Sequence, residues 1–418
     1  MSIVTLISFI ICILIIASSF RSGIDIFSPG RIFFIVWSLA IGLTDLKLSS
    51  LQHQWALEVW IKILIGPFAF ILGTLLIYTL NLDTKIYSLH YLRKEKNYYK
   101  INNEKLYRTV VFLFFLFLFG YLIIYLKTGN VPLFSSNPGK TRSEFTMFGI
   151  GLFLHNVLLI VFFTSVYYLV EKNNLLRRRI LILCSTFSTI LYGITLQRYQ
   201  IFITIFLVIV LLYYTTYKVK FRFVFIFIVI LVTFFFLVSS FRAGEIIIMV
   251  LYKMSKMKIS PDYAIFTEPY MYIVMNLENY ARSIAKTEFY TYGYYTFDFI
   301  TAISGLKHWI SGYLNLKDTP FLISSFNTYS AFWTFYRDFG LLGIFFIPFG
   351  GGILFSSLYY SLRRNPTVLK IGIYGMFHFA IIFSFFNSII GFLWFVYNLT
   401  VIILVFAYIK NDKSLCNN

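Results

Sequence analysis

The chain has 418 residues, 59% of them hydrophobic, 21% aromatic and only 13% charged, with a mean hydropathy of +0.78. Soluble domains run at about 45–50% apolar and about 25% charged, so this composition excludes a soluble enzyme, a disordered tail and a coiled coil. The net charge of +19, from 36 Lys and Arg against 17 Asp and Glu, fits either a nucleic-acid surface or the sidedness of a membrane protein, and the placement of the charges decides for the second.

Apolar segments bounded by charge predict spanning helices at about residues 3–20, 32–46, 56–80, 109–127, 147–170, 180–196, 200–217 and 223–241. Three more follow at about 339–361, 371–388 and 391–409. The expected fold is therefore all-α: a polytopic inner-membrane protein of about 11 transmembrane helices with one large, partly helical external loop. Residues 1–241 read as an eight-span bundle, 242–338 as the external loop, and 339–418 as a three-span bundle with a short cytoplasmic tail. The first segment has no basic leader and no Ala-x-Ala cleavage site, and is expected to be a retained anchor. Cys12 and Cys184 sit in apolar runs and Cys416 in the polar tail, which offers neither a disulfide frame nor a cysteine metal site.

In chain order, the first sizeable outer loop runs from Gly129-Asn130-Val131-Pro132-Leu133-Phe134 to Arg142, and its prolines and glycines make it turn-rich. Arg198 follows in Leu196-Gln197-Arg198-Tyr199-Gln200, between two short spans. Polar residues at such a boundary are costly unless they line a wet cavity or pair. Either a phosphate-gripping guanidinium or a snorkelling arginine in an interfacial turn accounts for Arg198. Arg242 follows Ser239-Ser240-Phe241 at the outer end of a span, where it is either a stop-transfer charge or a ligand-facing one.

The loop 242–338 has 97 residues, with nine Lys and Arg nearly balancing eight Asp and Glu. Ile246–Leu251 and the lysines after it read as a membrane-surface segment. Pro269 opens a helical stripe of Ile273, Val274, Leu277, Ala281 and Ile284, with Asn276, Asn279, Arg282 and Lys286 expected off the stripe. Twelve tyrosines fall in this loop; they suit the headgroup belt, and a minority suit stacking on sugar rings. His308 beside Trp309 reads as interfacial, and His155 and His378 lie in spans without a visible ligand set. The strongest local signal runs from Asn327 to Gly343. Asn327, Ala331 and Asp338 have the spacing of one helical face, and Gly340 and Gly343 permit close helix approach. Arg337 and Asp338 stand where the chain re-enters lipid. There they form either an ion pair that fixes the helix end or a site in which burial tunes Asp338 toward general-base work.

Orientation follows from Lys and Arg. If 81–108 is cytoplasmic, then 21–31, 171–179, 218–222, 362–370 and the C-terminus share its side, and these six regions hold 21 Lys and Arg. The opposite short loops hold five: Lys47, Lys127, Lys140, Arg142 and Arg198. The N-terminus is therefore expected outside and the C-terminus inside a bacterial plasma membrane, with the basic excess near anionic headgroups and no nucleic acid implied. The longest cytoplasmic loop has about 28 residues and no glycine-rich phosphate loop, and neither Asp-x-Asp nor His-Glu-x-x-His occurs in the chain. Chemistry that draws on ATP or nucleotide sugars needs folded mass on the inside. Bond formation is therefore expected at the outer face, with an activated lipid-linked reactant and neither cofactor nor metal.

This layout resembles the Wzy-type oligosaccharide repeat-unit polymerases of O-antigen and capsule synthesis. The resemblance is sharpest at Gly129–Leu133 leading to Arg142, at Arg198, at Tyr292-Gly293-Tyr294 with Phe297, and at Asn327-Thr328 through Asp338-Phe339-Gly340 with Gly343. Gln197 stands before Arg198 where the family pattern would have a small residue. The resemblance implies a metal-independent glycosyltransferase that moves the growing glycan from one undecaprenyl diphosphate to the terminal sugar hydroxyl of the next lipid-linked unit. It also implies membrane lipid around the protein, and a flippase and a chain-length regulator of the same pathway as partners. On that footing Arg198, Arg242 and Arg142 contact diphosphate, and Asp338 deprotonates the acceptor. Arg337, Tyr336 and Asn327 position that acceptor, and Arg282 adds a further substrate contact. Three rivals remain at this point: an O-antigen ligase-like transferase, a flippase or transporter, and a non-enzymatic assembly or sensor protein. The absence of a repeated multi-helix pattern weighs against an inverted-repeat transporter.

Overall fold

A computed structural model describes residues 2–21, 23–94, 101–216, 233, 248–284, 286–287, 289–306, 309, 323 and 326–410. The described residues are helical with short connections and no strand beyond isolated bridges. In chain order the helices are α1 (Ile3–Ser19), α2 (Pro29–Asp45), α3 (Leu57–Leu80), α4 (Leu89–Lys94), α5 (Asn103–Thr128), α6 (Pro138–Glu144), α7 (Asn156–Val170), α8 (Leu175–Ile194) and α9 (Tyr199–Thr215). They continue with α10 (Thr267–Ile284), α11 (Asp298–Ile303), α12 (Ala331–Arg364), α13 (Val368–Ile382) and α14 (Leu393–Ile409). A helix stands over each predicted span except 223–241, which, Thr233 apart, lies outside the described residues. Among the described residues, four helical stretches are long and apolar enough to cross a membrane: Leu57–Leu80, Asn103–Phe134, Ile150–Val170 and Ala331–Arg364. Four shorter helices, α1, α9, α13 and α14, are apolar as well.

Local chemistry explains the boundaries. The helix expected from 109 begins at Asn103 because the Asn102 side chain accepts from the backbone N–H groups of Glu104 and Lys105, capping a polar first turn. At its far end Gly129 takes a left-handed conformation that closes the helix. Asn137 and Asn174 cap α6 and α8 in the same way. Along α5, Val110, Leu113, Phe117 and Ile124 are buried while Phe112, Phe115, Phe119 and Leu122 are exposed. A helix apolar on both its packed and its open face belongs in lipid.

The chain forms two compact units. The first comprises Met1–Ile86, Lys220–Tyr360 and Ala380–Leu393, and the second Tyr87–Val219, Ser361–Phe379 and Trp394–Asn418. Contacts rather than chain order define them, so they divide the expected three regions differently.

In the first unit α2 packs on α1, and α3 meets the first part of α12 backbone to backbone. A Cβ at Gly73 would stand 2.1 Å from the Phe349 carbonyl oxygen, and one at Gly352 would stand 2.2 Å from that of Phe70. Aromatic rings fill the neighbouring layer, with Phe33 stacked on Phe70 at 4.1 Å and Trp37 on Phe332 at 4.6 Å. Gly352→Ala is expected to destabilise the unit by about 1–3 kcal/mol through overpacking. Gly350→Ala, whose Cβ meets nothing within 4 Å, is expected to leave it unchanged. Thermal unfolding of the two variants in detergent checks the contrast.

The second unit centres on α7, buried from Asn156 through Phe163 apart from half-buried Val161. Predicted cytoplasmic segments meet at one of its ends. Arg93 donates to the Tyr213 carbonyl at 2.9 Å, Asn103 to Glu171 at 2.8 Å, and Arg177 pairs with Glu104. Tyr87 exchanges hydrogen bonds with Arg363, and the Asn102 N–H donates to the Ile409 carbonyl at 2.9 Å. The turns holding Arg142 and Arg198 lie at the other ends of α5, α8 and α9.

Candidate functional site

Two polar constellations occupy the first unit, and a third lies in the second. The first joins the start of α12 to the segment 289–297. Asp338 is fully buried. One carboxylate oxygen accepts from the Thr291 hydroxyl and, at 3.2 Å, from the Tyr295 N–H; the other accepts from the Thr296 N–H at 2.6 Å. The Thr291 and Tyr292 N–H groups donate in turn to the carbonyls of Arg337 and Asp338. Tyr292 and Gly293 both have positive φ, at 48° and 99°, so the segment reverses beneath the carboxylate. Two residues on, Gly340 (φ 62°) interrupts the α12 helix, and a Cβ there would lie 2.7 Å from the Tyr290 ring. The left-handed backbone and the ring behind it both call for glycine.

The neighbouring predicted residues take distinct places. Arg337 is buried, donates to the Phe289 carbonyl at 2.9 Å and covers the Phe289 ring at 4.6 Å. Tyr336 packs against Tyr280 and Tyr290, with the Lys62 ammonium 5.9 Å from its ring. Asn327 departs from the sequence expectation. It precedes the helix, which starts at Ala331, and it is exposed while Asp338 is buried, so the two share no helical face. The stretch beside it is held from α10 instead: Asn279 donates to the carbonyls of Phe326 and Thr328 at 3.0 Å each, and the Thr328 hydroxyl donates to Asn276. Asn276 and Asn279 are accordingly buried rather than off the stripe, because the 326–330 stretch covers them.

The second constellation was not anticipated. Glu278 of α10 is 2% exposed and gathers the turn between α2 and α3. It accepts from the His53 N–H and the Trp55 indole at 3.0 Å each, and Lys47 approaches to 3.5 Å. Lys47 has a strained φ of 51° and lies over the Trp55 ring at 4.2 Å. Burial holds its ammonium below the ordinary lysine range, and Glu278 pulls it back only in part. Lys258 donates to the Lys47 carbonyl at 3.0 Å, and the Ser49 hydroxyl to the Ser255 carbonyl. Residues 47–55, 255–258 and α10 are therefore held together as one cluster. One turn beyond Glu278, Arg282 is half-buried. The available signal was Glu278 itself, a lone carboxylate among the apolar positions of its helix.

In the second unit Arg142 is exposed on α6, and half-buried Arg198 immediately precedes α9. The Tyr192 hydroxyl donates to the Gln197 side chain at 3.1 Å. Leu196 adopts φ 58° to make the turn. Arg242 and His308 lie outside the described residues. No protein-family model, curated protein or solved structure matches the chain.

Proposed function

We propose that this chain is a multi-pass membrane glycosyltransferase of Wzy type. It extends O-antigen or capsular polysaccharide at the outer face of a bacterial plasma membrane by moving a growing glycan between undecaprenyl-diphosphate carriers. The observation that carries the reading is the polarity of the second unit. Its basic segments meet at one end, and the turns that hold Arg142 and Arg198 lie at the other. On this reading the chain has about eleven spans, with its C-terminus inside and its N-terminus outside, as the Lys and Arg bias supports.

The chemistry asks little of the protein beyond charge and position. A diphosphate departs without much acid catalysis, but the negative charge that develops needs fixed donors in a partly dry site. Arg198 and Arg142, with Arg242, supply guanidinium forks for the phosphoryl oxygens. In the first unit Arg337, Tyr336 and Asn327 flank the acceptor path, and Arg282 lies one turn from Glu278. Asp338 is assigned a positioning role. Both its oxygens already accept hydrogen bonds from the Thr291 hydroxyl and the Tyr295 and Thr296 N–H groups, so it fixes the 289–297 segment rather than meeting the acceptor's hydroxyl.

Purified protein in vesicles, given lipid-linked repeat units from the host strain and no nucleotide sugar, is expected to yield longer lipid-linked glycans. Translocation without elongation would make it a flippase, and transfer only to a non-repeat acceptor would make it a ligase.

A further inference from the structure

α8 carries three consecutive arginines in its first turns, and the structure treats them differently. Arg177 pairs with Glu104, which also holds Arg108, and lies over the Tyr107 ring at 4.9 Å. Glu171, the other carboxylate near this turn, accepts from the Asn103 amide and from the Asn173 N–H, both at 2.8 Å. Both carboxylates are thus committed elsewhere. Arg178 is half-buried, and its guanidinium lies 3.6 Å from the centre of the Tyr168 ring, in the last turn of α7. Arg179 is exposed. Among the described residues neither Arg178 nor Arg179 has an acidic partner.

Beyond these arginines the helix has two distinct faces. Leu181, Ser185, Ser188 and Tyr192 are buried, while Ile182, Leu183, Phe187 and Ile190 are 44–68% exposed. By the helical period Leu176 and Arg179 continue the exposed face. An open face this apolar belongs against acyl chains, so Arg179 stands where acyl chains give way to headgroups. The distances agree. From Arg179 to Ile190 the helix rises about 16 Å, and one leaflet of a hydrocarbon core is about 15 Å deep. Two adjacent guanidiniums without a counter-charge repel each other, and both offer planar donor forks to a phosphate. The Tyr168 ring already restrains one of them.

We propose that Arg178 and Arg179 bind the phosphate of an anionic glycerophospholipid whose acyl chain runs along Leu183, Phe187 and Ile190. Charge and length together select that occupant. A soluble phosphate would leave the apolar face unused, and a zwitterionic lipid would bring its own cation against two arginines. Tyr168 holds Arg178 in place, and Glu104 keeps Arg177 out of the site. The site is independent of the reaction the chain performs and of the side of the membrane on which these arginines lie.

The full chain, purified in detergent, is titrated with dioleoylphosphatidylglycerol and dioleoylphosphatidylcholine, and bound lipid is counted by native mass spectrometry. The first phosphatidylglycerol is expected to bind about tenfold or more tighter than phosphatidylcholine, since each cation near an anionic headgroup contributes about fivefold. Arg178→Gln with Arg179→Gln is expected to abolish the preference. Arg179→Gln alone, at an exposed position, is expected to remove part of it at an unchanged melting temperature. Lys85→Gln with Lys127→Gln subtracts the same charge at exposed positions elsewhere and is expected to keep the preference. Equal binding of the two lipids by the parent, a preference retained without both arginines, or an equal loss in the lysine control would each overturn the proposal. Displacement of phosphatidylglycerol by an equal concentration of glycerol 1-phosphate would make this a site for free phosphate. Tighter binding of undecaprenyl phosphate than of phosphatidylglycerol would make it a site for an isoprenoid lipid. Either result also overturns the assignment.

Discussion

Asp338→Ala is expected to cost about 3–5 kcal/mol of stability, since three buried donors lose their acceptor and each such group costs about 1–3 kcal/mol. The donors are the Thr291 hydroxyl and the N–H groups of Tyr295 and Thr296. Asp338→Asn keeps one acceptor oxygen but turns an NH2 toward a donor, so its loss falls between the parent and the alanine variant. Thermal unfolding in detergent is expected to give that order. The same pair of variants separates positioning from base chemistry. If Asp338 only positions the 289–297 segment, elongation by the asparagine variant tracks its folded fraction. A fully folded Asp338→Asn protein with no elongation would return the carboxylate to a chemical role.

Arg198→Ala has the largest expected effect on activity, a loss of about 10²–10³-fold in elongation rate, which is the usual cost of removing one fixed donor from a developing oxyanion. Arg198→Lys retains the charge but loses the paired planar donors, so a partial loss is expected. The side chain stands at the half-buried turn before α9, and melting temperatures of both variants separate a lost grip from a lost fold. In cells at equal expression the glycan ladder collapses toward single repeats. An unchanged ladder would remove the diphosphate grip from Arg198 and leave the turn as an interfacial feature.

The helices were largely legible because lipid selects them by a simple rule, a run of apolar residues closed by charge. The departures came where a local side chain overrode that rule. Asn102 drew α5 back to residue 103, and α12 starts at Ala331 while its predicted apolar run begins only at about residue 339. Individual site residues were legible as types, but their company was not. Asp338 stood out as a carboxylate at a lipid boundary, yet nothing nearby in sequence announces that Thr291, Tyr295 and Thr296 will close over it. Glu278 was passed over because its partners His53 and Trp55 lie more than two hundred residues earlier. Asn276 and Asn279 looked solvent-facing by periodicity, and a distant stretch at 326–330 buries them. Helical spacing reports which residues share a face; it carries no record of what later covers that face.

Sidedness is the claim on which the rest depends, and site-directed labelling measures it directly. In a chain freed of Cys12, Cys184 and Cys416, single cysteines replace the exposed residues Asn327 and Asn173. Intact spheroplasts then receive a membrane-impermeant maleimide. The account predicts immediate labelling at 327 and labelling at 173 only after the membrane is opened. Labelling at 173 with protection at 327 would place the Asp338 region in the cytosol and contradict an outward-facing polymerase.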